Sequence, residues 1–288
     1  MNLEEHVPLG PLTTYRVGGA AALFARLEHE DDLRAASAVV EARDLPVLIV
    51  GKGSNLLVAD AGFPGLAVVL GDGFATVDLE DGFVRAGGAT PLPVLARRTA
   101  AAGRRGLEWA VGVPGSVGGA VRMNAGGHGS DIAAHLLRVR VFDLATGDDG
   151  VVEAADLALG YRRSSIGPTQ VVVWADLATS EGDPDAAAAA IAEIVAWRRE
   201  NQPGGQNAGS VFTNPEGDSA GRLVEAAGCK GLRLGTAEVS TKHANFIQAD
   251  PGGSADDVLA LIHEVRRRVR EASGIELQPE LRLVGFPA

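Results

Sequence analysis

Arg162, Ser210 and Glu280 are the side chains of this 288-residue chain whose chemistry fits together. Each alone has an ordinary reading. Arg162, in Tyr161-Arg162-Arg163-Ser164, serves as a loop charge; Ser210, in Gly209-Ser210-Val211-Phe212-Thr213-Asn214, as a small polar residue before a β-like run; Glu280 as an acid at a strand end. Taken together they suit one kind of reaction. A serine hydroxyl is a feeble acid, so it protonates only a strongly basic carbon such as a carbanion or enolate. An arginine clamps a carboxylate bidentately and spreads the charge of an enolate that carries one. A carboxyl kept protonated by enclosure adds a hydrogen bond at the same end. Addition of hydride to an electron-poor double bond creates such a carbanion. No side chain donates hydride, so a redox cofactor must supply it.

Two glycine-rich turns offer such a cofactor a place. Seven of the eighteen residues from 112 to 129 are glycine. That density weakens regular structure unless something compensates, and close approach of a ligand is the usual compensation. Successive N–H groups from Gly115 to Gly119 can form a concave anion nest, which a side chain at Gly118 would fill. Val113, Val117, Val121 and Met123 give the stretch an apolar underside that a solvated linker would not need. The second turn, Gly51-Lys52-Gly53-Ser54-Asn55, follows the apolar strand 46–50. It fails as a dinucleotide fingerprint, because Leu56 replaces the third glycine of G-x-G-x-x-G and Leu56-Leu57-Val58 reads as strand. No P-loop motif occurs, and no histidine is placed to activate Ser210 as a nucleophile.

The elements that must position these residues are helices interspersed with runs of strands. The apolar periodicity predicts helices over 31–43, 93–102, 185–200 and from Ser254 onward. Strands are predicted over 66–70, 76–79, 83–86, 136–143, 151–153, 170–177 and 244–248. Asp183-Pro184 supplies an N-cap and a first-turn proline, Asp218 is read as the cap of a short helix, and Gly228 as its left-handed stop. The breaker cluster Asn201-Gln202-Pro203-Gly204-Gly205 divides the chain. A net charge of -11 and a pI near 5 argue against nucleic-acid binding. Apolar runs are too short for a membrane span, and the first residues lack a signal-peptide layout. Cys229 is alone and reads as a small buried residue, which fits a reducing, cytoplasmic compartment. The six histidines lack metal-ligand spacing, so no metal is expected.

Nine motifs in order carry a resemblance across almost the whole length. They are Thr13-Thr-Tyr-Arg-Val-Gly-Gly19, Gly51-x-Gly-Ser-Asn55, Gly112-x-Pro-Gly-Ser-x-Gly-Gly-Ala120, Met123-Asn-Ala-Gly126, Gly160-Tyr-Arg-x-Ser164, Gly209-Ser-Val-Phe-x-Asn-Pro215, Ala220-Gly-Arg-Leu223, Lys242-His-Ala-Asn-Phe-Ile247 and Pro279-Glu280. With these the chain resembles the UDP-N-acetylenolpyruvoylglucosamine reductase (MurB) family of peptidoglycan synthesis. The resemblance implies an α+β fold: a two-part FAD-binding domain of the vanillyl-alcohol oxidase/PCMH type over 1–200, divisible into 1–58 and 59–200. A smaller α+β substrate-binding domain would follow over 201–288, its last residues able to return to the first domain. FAD would be bound non-covalently, NADPH would be the co-substrate, and UDP-N-acetylglucosamine enolpyruvate the substrate. The cofactor positions implied are Gly51, Gly53, Ser54, Asn55, Gly112, Pro114, Gly115, Ser116, Gly118, Gly119, Asn124, Ala125 and Gly126. Tyr161, Asn214 and Arg222 would bind substrate; Ser210 would donate the proton, with Arg162 and Glu280 at the enolpyruvyl carboxylate. Only Tyr15 and Tyr161 are tyrosines, so the chain resembles the shorter subtype without a tyrosine-bearing loop. His128 stands where a tyrosine would be expected. Two other readings stay open: a flavin oxidase on the same scaffold, and a nucleotide-sugar-binding regulator that has lost turnover.

Overall fold

The long apolar strand runs Leu136–Asp143 and Gln170–Ala178 pair with each other inside a five-stranded antiparallel sheet. Its order is Asp149–Glu153, Leu136–Asp143, Gln170–Ala178, Phe83–Gly87, Val77–Leu79. The computed structural model describes residues 1–287, which group into two units. Unit 1 comprises residues 1–5, 23–52 and 65–198; unit 2 comprises 6–22, 53–64 and the described residues from 199 onward. The second unit therefore draws on the chain before residue 201 as well as after it.

In unit 1 the sheet lies between two apolar cores. On one side Val84, Val139, Val172 and Ala175 pack with the helices Leu92–Ala101, Val117–Met123 and Pro184–Asn201, the last through Ala187 and Ile191. On the other, Phe142, Val171 and Val173 pack with the helix Glu30–Arg43 and with Val47, Leu66 and Val68. Val47–Ile49 runs parallel to Leu66–Val68. Asp183 caps the helix Pro184–Asn201 by accepting the Asp185 N–H at 2.9 Å.

In unit 2 the helix Ala255–Ser273 buries Val258, Leu261, Ile262, Val265 and Val269 in a core shared with Ala237, Val239 and Ile247 of a three-stranded antiparallel sheet. These positions recur at helical spacing, which is why the segment is helical and which face it buries. Ser254 caps it at 3.1 Å from the Asp257 N–H. Arg266, Arg267 and Arg268 spend their charges on Glu264, Glu271, Glu276 and the Leu277 carbonyl at its surface. Cys229 is buried in the same core, and burial pushes its thiol up.

Two sequence readings are corrected. Ser219, not Asp218, caps the helix Ala220–Ala226, because its hydroxyl accepts the Arg222 N–H while the Asp218 carboxylate is taken by the Arg222 guanidinium. The strand expected at 244–248 begins only at Ile247 and runs to Ala249. Its first residues are diverted because Asn245 makes its hydrogen bonds to residues 211 and 212.

One ionised group is enclosed in the sheet of unit 1. Asp176, 1% exposed, accepts from Arg85 at 2.7 and 2.9 Å and from Arg138 at 2.8 Å. Arg85 also lies over the Trp174 ring, 3.9 Å from its centroid. Burial opposes the Asp176 charge, but the two guanidinium groups outweigh it and hold the carboxyl below the usual carboxylate range. A carboxyl depressed in the folded state contributes stability above its unfolded pKa and loses it as pH falls through the folded value. Asp176→Asn is therefore expected to cost about 1–3 kcal/mol at neutral pH and to lose that deficit progressively below about pH 4. Denaturant midpoints of the two proteins across pH check this; a deficit that is the same at pH 3 and pH 7 contradicts it.

Candidate functional site

In unit 1 the glycine stretch folds as a short helix, Val117–Met123, entered through the buried Ser116. The Ser116 hydroxyl accepts the Gly119 N–H at 3.4 Å. A Cβ on Gly51 would lie 2.6 Å from the same hydroxyl oxygen, so absence of a side chain at Gly51 lets that turn meet Ser116. Gly112 makes similar room, since a Cβ there would lie 2.5 Å from His128 Cδ2.

Three of the N–H groups expected to form an anion nest from Gly115 to Gly119 are taken by the protein itself. The Val117 N–H donates to the Thr90 carbonyl at 2.9 Å and the Gly118 N–H to the Gly88 carbonyl at 2.9 Å, while Gly119 turns to Ser116. A Cβ on Gly118 would face the Gly88 oxygen at 3.2 Å and Val172, so this glycine serves helix-to-sheet packing. Other glycines leave backbone open. A Cβ on Gly119 would meet only Ser116 Oγ at 3.5 Å, and one on Gly127 only Val113 Cγ2 at 4.0 Å. Open glycine backbone admits a phosphate or sugar edge, and by this test the residues present fit a dinucleotide cofactor. Pro114 is exposed and Gly115 contributes its carbonyl to the Leu92 N–H at 2.9 Å.

Asn124 ties this loop to the arginine turn. It is buried, left-handed at φ 38°, and donates through Nδ2 to the Gly160 carbonyl at 3.1 Å while Oδ1 accepts the Ala133 N–H at 2.9 Å. Ala125 closes back on Ala120 through a 2.9 Å backbone bond. Gly160 and Arg163 exchange backbone bonds at 3.0 and 3.1 Å, which projects Tyr161 and Arg162 from a tight turn. Arg162 is left-handed at φ 53°, a costly conformation for a residue with a side chain. Its Nη1 reaches the Gly126 carbonyl at 3.4 Å, and its guanidinium carbon lies 5.2 Å from the Tyr161 ring centroid.

In unit 2 the structure brings Ser210 and Glu280 onto paired segments. The Glu280 N–H donates to the Val211 carbonyl at 2.8 Å, and the Thr213 N–H donates to the Gln278 carbonyl at 2.9 Å. Asn55 joins them: its Nδ2 donates to the Glu280 carbonyl at 3.1 Å, and its own carbonyl accepts the Arg282 N–H at 3.0 Å. Gly53 is left-handed at φ 61°, and a Cβ on it would lie 2.3 Å from the Leu12 oxygen, so its backbone approach is to protein. Ser54 is half-buried between these two anchored residues. Gly209, before Ser210, has nothing within 4 Å of a Cβ position, so the approach to the serine backbone is open. Asn214 Oδ1 accepts the Ala220 N–H at 3.0 Å, and Arg222 pairs with Asp218. Both residues assigned to substrate thus also hold the helix Ala220–Ala226 in place. Asn245 was legible only as one letter of a motif; a polar residue inside the apolar run Ala244-Asn245-Phe246-Ile247 was the signal that could have marked it.

The family model for the C-terminal domain of UDP-N-acetylenolpyruvoylglucosamine reductase matches residues 201–284, and that for an FAD binding domain matches 21–149. A UDP-N-acetylenolpyruvoylglucosamine reductase of Acidiphilium cryptum is 44% identical over 285 residues, covering 98% of this chain and 91% of that protein. The chain belongs to the UDP-N-acetylenolpyruvoylglucosamine reductase family. The reductase of Synechococcus sp. (strain RCC307) is 42% identical, with 99% of this chain and 95% of that protein covered. The crystal structure of the Thermus caldophilus enzyme superposes with a TM-score of 0.86 at 37% identity, covering 99% of both chains. Membership makes this chain an FAD-dependent oxidoreductase of peptidoglycan synthesis, built from an FAD-binding domain and the family's C-terminal domain.

The glycine geometry separates packing from ligand roles. Gly118→Val is expected to lower the thermal midpoint of the FAD-free protein by several degrees, whereas Gly119→Ala leaves that midpoint within about 2 °C. Calorimetry of both apoproteins checks it. An unchanged midpoint in Gly118→Val would show that the residue is not packed as described.

Proposed function

We propose that this chain reduces the enolpyruvyl double bond of UDP-N-acetylglucosamine enolpyruvate with electrons from NADPH, giving UDP-N-acetylmuramate, with Ser210 as the proton donor. The observation that carries this reading is the 2.8 Å bond from the Glu280 N–H to the Val211 carbonyl. It keeps a hydroxyl and a carboxyl on neighbouring backbone segments.

FAD, when bound, would supply the hydride-transfer chemistry that links NADPH to the enolpyruvyl methylene carbon. The electron pair of the double bond then rests on the adjacent carbon and spreads into its carboxylate. Ser210 gives its hydroxyl proton to that carbon and recovers a proton from water. Glu280 acts at the carboxylate end, carried on the segment bonded to Val211. Arg162 is the residue proposed to bind a carboxylate; its left-handed turn, held at Gly126 and at the Gly160–Arg163 bridge, restricts where the guanidinium can go. Residues 51 and 112–127 hold the cofactor, Gly119 and Gly127 offering the open backbone. Tyr161, Asn214 and Arg222 contribute to the nucleotide-sugar site. Small molecules are the only partners this reading requires, and we place the reaction in the cytoplasm, in keeping with a single buried cysteine. No helix among the described residues is long and apolar enough to cross a membrane.

Ser210→Ala is expected to leave anaerobic reduction of the bound flavin by NADPH within about 3-fold of the parent. Reoxidation by the enolpyruvyl substrate should slow by about 10²-fold or more, the scale of losing a general acid. Stopped-flow absorbance near 450 nm separates the two half-reactions. Equal slowing of both removes Ser210 from the proton transfer.

A further inference from the structure

Val211 and Phe212, the residues immediately after Ser210, have two N–H and two carbonyl groups to satisfy. A single residue meets three of them. The Val211 N–H donates to the Asn245 carbonyl at 2.8 Å, the Phe212 N–H donates to Asn245 Oδ1 at 2.9 Å, and Asn245 Nδ2 donates to the Phe212 carbonyl at 2.8 Å. The fourth group, the Val211 carbonyl, accepts the Glu280 N–H. The side-chain amide thus imitates a strand neighbour, offering acceptor and donor to one residue as a backbone would.

Asn245 is itself immobilised. It is 4% exposed, its own N–H donates to His243 Nδ1 at 3.2 Å, and Phe246 is bonded to the His243 carbonyl at 3.0 Å and to Ser240 at 2.8 Å. Upstream of Ser210 the chain is held differently. Gly209 is left-handed at φ 78°, open on its Cβ side, and bonded only through its N–H to Asn207 Oδ1 at 3.1 Å. Ser210 is therefore fixed mainly from its C-terminal side, by the plane that Asn245 sets.

We infer that Asn245 is a positioning residue for the proton transfer: its side-chain amide orients the 211–212 backbone, and through it the Ser210 hydroxyl and the Glu280 segment. This rests on the assignment of Ser210 as proton donor. No substrate contact by Asn245 is involved. Its loss should therefore be felt in the half-reaction that uses the serine proton and not in the one that loads the flavin.

Asn245→Ala removes both side-chain bonds and can unfold the segment, so Asn245→Asp is the deciding variant. It is isosteric and keeps the acceptor for the Phe212 N–H. When ionised it loses the donor to the Phe212 carbonyl, and when protonated it regains one. In the FAD-loaded protein at pH 8, flavin reduction by NADPH is expected within about 3-fold of the parent, with reoxidation by the enolpyruvyl substrate slowed about 10-fold or more. Lowering the pH should restore reoxidation in Asn245→Asp relative to the parent, because the protonated acid again donates. In a Ser210→Ala background the same substitution should add less than about 3-fold, since the residue it acts through is already gone. Equal slowing of both half-reactions, multiplying effects in the double variant, or wild-type reoxidation at pH 8 overturns the inference. Wild-type reoxidation in Ser210→Ala overturns the donor assignment itself, and the positioning role with it.

Discussion

A buried peptide group has to find a partner, and in unit 2 that requirement falls hardest on the two residues after Ser210. Leaving one such group unpaired costs roughly 1–3 kcal/mol, a large share of a typical margin of stability of about 5–15 kcal/mol. The solution drawn here uses Asn245 on one side and Glu280 on the other. Because partners are compulsory, the serine and the acid cannot drift apart along the chain without breaking the pairing. The proposed proton donor and the proposed carboxyl are thereby held on paired segments by backbone bonds. Asn55 extends the same logic, giving its amide nitrogen to the Glu280 carbonyl and its carbonyl to the Arg282 N–H. A turn assigned to the cofactor and a carboxyl assigned to the substrate share one hydrogen-bonded ladder.

The glycines divide into those that make room for protein and those that make room for something else. Gly18 and Gly19 let the chain pass the Val58 and Asp60 carbonyls at distances no Cβ could occupy, and Gly118 lies against Gly88 and Val172. Gly119, Gly127 and Gly209 face little or nothing of the protein. Glycine frequency in the sequence cannot distinguish the two kinds, since both remove the same atom. Only the neighbour at the missing Cβ does, and at Gly118 that neighbour is the protein.

What was legible in the sequence follows from range. Periodicity and caps act within a few residues, so the helices Glu30–Arg43, Leu92–Ala101, Pro184–Asn201 and Ala255–Ser273 and the strands Leu136–Asp143 and Gln170–Ala178 were readable to within a residue or two. Ser210, Glu280 and Arg162 stood out in the sequence as motif residues, and their chemistry is a proposal. The pairing of 211 with 280 was not readable, because nothing local in either segment names the other. Asn245 was hidden for the same reason: in a run that otherwise reads as strand, its partners lie at 211 and 212. Ser219 against Asp218 was a closer contest between two good caps, decided by the Arg222 guanidinium that claims the aspartate.

The parallel pairing of Leu56–Val58 with Arg282–Val284 has a consequence for biosynthesis. The Asn55 side chain and the carbonyl it bonds are 225 residues apart. During translation the early strand leaves the ribosome long before its mate exists, with Leu57 destined for a core that cannot yet form. Closing so long a loop is entropically slow, and the waiting segment is apolar. Synthesis of residues 282–284 sets the earliest moment at which this pairing can form.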